Sequence, residues 1–453
     1  MKVLTRNHWS PYTPCVQNPW TLEKVAHLHR RAGFGATWTQ LHRDLHAGKD
    51  TAIEGLFSPN TDTAYDELVD SLRDGVRTAM DHHERLQAYW IFRLAFDPDV
   101  LREKVTLFWH DHFATSNLKV ADAELMLLQS DLLRRNALGQ FAGLLGEVLR
   151  DPALLIWLDG LETSPQSPNE NLGRELLELF TLGVGNYDEH DVRTAARCLT
   201  GLTLSKREPH DTPKVVFDLN RFDQSPKTLL GQSGNWGHDD LVRILLDQEA
   251  CAQFLCRKIY RAFVSDTIEP NDDVISELAE AMRTHKYSIA AALKLIFDSE
   301  HFYSPEVIRS QVAAPVQWNI SIIRMLEVPA GDIRFSAIDE LCRRQGQHLF
   351  FPPNVSGWTQ GDGWIEGMRG AERFLAARAW AFGDTELGLL PIDVDRWVRE
   401  HNIPLDEAAQ SLVTLMLQGD LRSIDNINDR SIDRPSIQQL FCNLLSTAQF
   451  QLV

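Results

Sequence analysis

Apolar residues return at helical spacing along most of this chain, and that periodicity restricts the fold to one built mainly of packed helices. Phe141, Leu144, Leu145, Val148 and Leu149 share one face, as do Ala252, Leu255, Cys256, Ile259, Tyr260 and Phe263. Ile275, Leu278, Ala279 and Met282 form a third stripe, and Ile289, Ala292, Leu293, Ile296 and Phe297 a fourth. A helix with such a stripe must bury it against another element. Strand-like alternation is confined to Leu202-Thr-Leu-Ser205 and residues 214–219, with Leu229 and Leu230 following. The pattern therefore predicts a mainly α, multi-helix domain with a small β-hairpin or three-stranded sheet near residues 202–230.

Turn and cap residues divide the chain. Residues 1–20 read as an irregular N-terminal arm, residues 21–383 as the main helical domain and residues 384–453 as a C-terminal helical segment packed on it. Thr37, Asp188 and Ser288 are expected to cap helices, with Asp191 completing a capping box. Residues 58–80 look acidic and weakly patterned, residues 154–158 form a buried strand or helical turn, and residues 231–237 a turn-rich linker. Arg30 and Arg31 are expected to be solvated cations at a helix end. The six cysteines are scattered and form no Cys-x-x-Cys pair, and Cys251 and Cys256, five apart within a helical pattern, read as small buried hydrophobes.

With 63 acidic against 45 basic residues the net charge is -18, which disfavours nucleic acid and anionic membranes as partners. No apolar run reaches the length of a membrane span, and the first residues lack the apolar core of an export signal. As written, the expectation is a soluble, cytoplasmic chain.

Polar chemistry concentrates in three places. In residues 169–183, Glu175 and Glu178 are three apart on a helical face and can aim carboxylates at a common point. Such a pair needs a cation or a shared proton, and a metal ion or Arg174 could serve; ordinary surface charge pairing is the plainer account. Asn169 and Asn171 stand where side-chain amides cap a helix or orient a substrate. The second place is Trp109-His110-Asp111-His112-Phe113. Histidines two apart point about 200° from each other in a regular helix, so His110 and His112 can share a metal only where the backbone departs from helix. Residues 114–117 are the expected point of departure. The third place, residues 350–364, is punctuated by prolines and glycines and carries Asn354, Trp358 and Trp364, a composition suited to a sugar-binding loop or to a loop tucked into the core.

The blocks Arg30-Arg-Ala-Gly-Phe-Gly35, residues 108–113, residues 169–183, Ala196-Arg-Cys-Leu-Thr-Gly201, Lys227-Thr-Leu-Leu-Gly231 and Pro352-Pro-Asn-Val-Ser-Gly-Trp358 resemble the signature blocks of a large bacterial family catalogued as domain of unknown function eighteen-hundred. The resemblance runs from about residue 22 to the end of the chain. It implies a mostly helical protein whose relatives often carry export signals and are encoded beside a sulfatase-like companion. Phe222 and Leu202 stand where the family tends to have His and Trp. If that His is catalytic in relatives, this member is altered or inactive.

The leading functional expectation is a metal-dependent hydrolase of a glycan or of a sulfated or phosphorylated ester. His110, His112, Glu175 and Glu178 are its candidate ligands for a divalent zinc, iron or manganese ion. Glu175, Glu178, Arg174, Asn169 and Asn171 are the candidate catalytic groups, and Trp358, Trp364 and Asn354 the candidate substrate contacts. The alternatives are a non-catalytic binding or assembly partner of a companion enzyme, and a metal-independent glycoside hydrolase using the paired glutamates.

Overall fold

Leu22–Ala32, Val100–His112 and Ala123–Asn136 are the helices around which the others are arranged, because each is buried on more than one side. The computed structural model describes residues 8–59, 62–78, 82–205, 213–417 and 436–453. Residues 1–7, read above for an export signal, lie outside the described residues. The fold is mainly α, with two small antiparallel hairpins.

Two hydrophobic cores run side by side. One gathers Val25, Trp90, Leu107, Met126, Trp318, Trp380, Trp397 and Phe441; the other gathers Leu28, Trp109, Leu133, Phe141, Phe180, Ile259 and Phe297. The three central helices contribute to both cores, so they form the seam between them. Residues 384–453 feed Leu389, Val394, Leu412 and Leu444 into the first core.

The expected caps form as local chemistry requires. Thr37 accepts from Gln40 N at 3.1 Å while Gln40 Oε1 accepts from Thr37 N at 3.0 Å. Asp188 and Asp191 make the corresponding pair at the start of Glu189–Cys198. Strands β1 (Leu202–Leu204) and β2 (Val215–Phe217) pair with Leu202 opposite Phe217. β3 (Lys227–Leu229) turns through Leu230 and Gly231, both at positive φ, onto β4 (Gln232–Gly234). Leu229 and Leu230 thus begin a second hairpin instead of adding a third strand to the first, and residues 231–237 are only partly linker.

Two further expectations are corrected and one alternative is decided. Residues 58–80 carry a regular helix, Thr63–Thr78, whose Val69 and Val76 are buried. Of the two readings of residues 154–158 the helical one holds: residues 154–157 lie in the helix Pro152–Trp157, started by Asp151 as cap and Pro at its first turn, and Leu158 ends it. Arg30 and Arg31 are not solvated: both are buried, Arg30 donating to Met416 O and Arg31 donating to Val307 O at 3.1 Å. They tie distant chain carbonyls to the first helix, a use of guanidinium that local sequence does not reveal. Cys15 is exposed, and the other five cysteines are buried free thiols. Among the described residues no helix is long and apolar enough to cross a membrane.

Candidate functional site

On the Val100–His112 helix, Lys104, Leu107, Phe108, Asp111 and His112 fall on one face and line a cavity of about 410 Å³. That volume suits a small polar molecule. The opposite wall is the Glu249–Phe263 helix, whose Phe254, Lys258, Arg261 and Ala262 also repeat at helical spacing. Gln317 and Gln347 are buried lining residues and mark the floor; Val184, Arg261, Ser356 and Gln360 are exposed lining residues and mark the mouth.

A turn of π-helix positions the remaining groups. The helix Glu170–Glu175 continues as a π segment, Leu176–Thr181, in which Thr181 Oγ1 donates to Leu176 O at 2.6 Å. The segment stops there, so the carbonyls of Leu179 and Phe180 need outside donors. Lys258 Nζ donates to Leu179 O at 3.0 Å, and His112 Nε2 donates to Phe180 O at 3.1 Å. The same segment presents Glu178 to the cavity, where its carboxylate accepts from Tyr187 Oη at 2.8 Å.

Burial sets the electrostatics. Asp111 accepts from Trp358 N at 2.9 Å and from Gln360 Nε2 at 3.3 Å, yet desolvation wins and holds its carboxyl above the usual range. Lys258 is brought down to about 8, chiefly by burial, with Asp111 opposing the shift. Lys104 is brought down to about 7 by burial and then by Arg31, and Asp266 is pushed up to about 6 by burial. His112 is held neutral by burial first and Lys258 second. Its Nδ1 is buried with no hydrogen-bond partner.

The structure brings Glu178, His112 and Trp364 together and leaves the other sequence candidates elsewhere. The helix stays regular through His112, so His110 faces away from it. Its ring sits among Trp90, Phe350 and Trp358 with centroids 4.9, 5.2 and 5.3 Å away, and Nε2 accepts from Phe350 N at 3.2 Å. Burial lowers it to about 3, so it is a neutral core residue. Glu175 is raised by desolvation and then by Glu178 but does not line the cavity. Arg174 pairs with Glu189, both contacts at 2.8 Å, outside it. Asn169 caps the helix and donates to Asp159 O at 2.7 Å, and Asn171 donates to Leu158 O at 3.3 Å. Trp358 is buried against His110, and Asn354 is an exposed turn residue accepting from Ser356 N at 2.8 Å.

The four proposed metal ligands are therefore not assembled, and among the described residues no three His, Cys, Asp or Glu side chains group closely enough to hold an ion. Lys258 lines the same cavity and its charge is felt by Asp111. Sequence reasoning missed Asp111, Lys258, Lys104 and Asp266. A usable signal was the second stripe Phe254, Lys258, Arg261, which lies off the apolar face of its helix.

Residues 27–452 match the family model described as protein of unknown function (DUF1800). The chain belongs to this family. No curated protein and no solved structure matches it. Within this DUF1800 chain, three of the blocks that carry the resemblance, residues 108–113, 169–183 and 352–358, meet at or beside the cavity. The family description assigns no activity, so the chemistry has to come from the geometry.

Proposed function

We propose that the cavity is the active site of a metal-independent hydrolase that cleaves a small glycan by acid–base chemistry. The observation that carries this reading is the placement of Asp111 and Lys258, both shifted toward neutrality by burial, in one cavity with the Tyr187-bonded carboxylate of Glu178. Groups whose environments separate their proton affinities divide naturally into acid and base. Asp111, held toward its protonated form, gives its proton to the leaving oxygen as the glycosidic C–O bond breaks. Glu178 takes a proton from water as the new C–O bond forms. Lys258, donating to Leu179 O at 3.0 Å, steadies the segment that carries Glu178. Amide and hydroxyl groups of Gln311, Gln360, Ser356 and Thr359, beside the Trp364 ring, suit a polyhydroxylated substrate.

This pairing replaces Glu175 with Asp111, so the two carboxyl groups come from different elements and not from one helical face. The competing account, a non-catalytic partner of a sulfatase-like companion, keeps the cavity as a binding pocket without turnover.

A panel of nitrophenyl glycosides, sulfates and phosphates assayed with wild type, D111N and E178Q tests the reading. Expected is turnover of a glycoside that survives chelator and falls by about 100-fold or more in each variant. Turnover abolished by chelator and restored by zinc or manganese supports the metal-dependent account instead. Binding of a sugar with no turnover supports the partner account.

A further inference from the structure

The inner end of the cavity carries a cation without a counter-ion. Lys104 is half-buried and lines the cavity, where its Nζ donates to Gln317 Oε1 and stands 5.3 Å from the centroid of Phe34. Among the described residues no carboxylate pairs with it; the nearest charge acting on it is another cation, Arg31. Arg31 is itself fully buried; its two terminal nitrogens donate to Val307 O, Ser310 Oγ and Gln311 Oε1, and its Nε has no partner. Asp266, an acid that also lines the cavity, accepts from Val312 N at 3.2 Å and acts on Arg31. Gln317 donates to Arg30 O at 3.3 Å and Gln347 Oε1 accepts from Val316 N at 2.9 Å, so the surrounding polar groups are neutral.

Two ammonium- and guanidinium-type charges withdrawn from water side by side are costly unless something negative joins them. Asp266 answers Arg31 alone; among the described residues no carboxylate pairs with Lys104, and the cavity gives a ligand access to it. We propose that Lys104 is an anion-binding subsite and that the substrate is an acidic sugar, carrying a carboxylate, sulfate or phosphate group at the end remote from the reacting bond. This rests on the hydrolase reading only for the word substrate; anion binding stands alone. Lys104 and Asp111 are seven residues apart on one helix, which separates their levels by about 10 Å. The anionic group and the bond to be cleaved are therefore held about two helical turns apart.

Calorimetric titration of the full chain with glucuronate, glucose, inorganic sulfate and inorganic phosphate, using wild type, K104Q, K104M and D111N, tests the proposal. Expected is binding of glucuronate and at least one inorganic anion by wild type, weakened about tenfold or more in both Lys104 variants and retained in D111N. Preference for glucuronate over the inorganic ions assigns a carboxylate; the reverse assigns a sulfated or phosphorylated sugar. Equal anion affinity in wild type and both Lys104 variants overturns the subsite, as does a wild type that binds glucose as well as glucuronate and no inorganic anion. Loss of turnover in D111N with anion binding intact keeps the two claims distinguishable. Both Lys104 variants should melt no lower than wild type, because each removes an uncompensated charge; a lower melt in both together with unchanged anion affinity marks Lys104 as structural.

Discussion

His112 donates from Nε2 to the carbonyl oxygen of Phe180 at 3.1 Å, across 68 residues of chain. A carbonyl can only accept, so the bond fixes the Nε2–H tautomer and leaves Nδ1 as a lone pair. Burial, with Lys258 second, keeps the ring neutral. Nitrogen-15 spectra of the imidazoles should show this neutral tautomer unchanged from about pH 5 to about pH 8; an imidazolium signal from His112 in that range would contradict the assignment. His112→Phe leaves the Phe180 carbonyl without its donor and should cost about 1–3 kcal/mol in chemical denaturation.

Lys104 gives stability a definite pH dependence. Its folded value of about 7 lies below the ordinary lysine value of 10.5, through burial and then Arg31. Between those values the unfolded chain holds a proton that the folded chain has released, so stability rises with pH across that window. Below it both states are protonated and the penalty is complete. Arg31 and the neutral Gln317 face this lysine, and Asp266 faces Arg31. K104M should be more stable than wild type at neutral pH, by on the order of a few kcal/mol, with the difference shrinking as pH approaches the upper limit. Urea titrations at several pH values in a buffer poor in anions measure this, and a difference independent of pH would count against the buried charge.

Gly357 holds Asp111 in place. Its φ is +86°, and a Cβ there would overlap Asp111 Oδ1, the atom that accepts from Trp358 N. Gly357→Ala therefore combines left-handed backbone strain of about 1–2 kcal/mol with displacement of the carboxylate. The expected result is a less stable protein with red-shifted tryptophan emission and weakened cavity binding. Normal binding together with wild-type emission would show that the loop accommodates the methyl group.

Glu175 and Glu178 should separate experimentally although they look equivalent in sequence. Glu178 lines the cavity and accepts from Tyr187, whereas Glu175 stands behind it and is raised by burial and by Glu178. Glu175→Gln is expected to leave sugar binding unchanged and to shift stability by no more than about 0.5 kcal/mol. A loss of turnover in E175Q as large as in E178Q would return the first glutamate to the site.

The helical plan was legible because it rests on local periodicity and caps: the stripes of residues 252–263 and 289–297 and the boxes at Thr37 and Asp188 depend on neighbours a few positions away. The π turn was not legible, since Leu176, Leu177 and Phe180 fit a regular helix equally well and the altered bonding is settled by Thr181 and by donors from other helices. Arg30 and Arg31 misled for a related reason: their acceptors, Met416 and Val307, lie hundreds of residues away. His110 and His112 are two letters apart and both rings pack among aromatic side chains, but only His112 borders the cavity. Asp111 stood in plain view between them; its significance depends on Gly357, Trp358 and Gln360 folding back onto it.

The two cores meet along the helix that walls the cavity, with Leu107 belonging to one and Val105 and Trp109 to the other. Gln317 stands on a helix rooted in the first core, Phe254 and Lys258 on a helix rooted in the second, and all three border the same space. When nothing bridges that space, each half can open by fluctuations of its own. A molecule gripping both walls is a keystone: it makes the halves unfold as one cooperative unit, and amide exchange should slow in helices that never touch it.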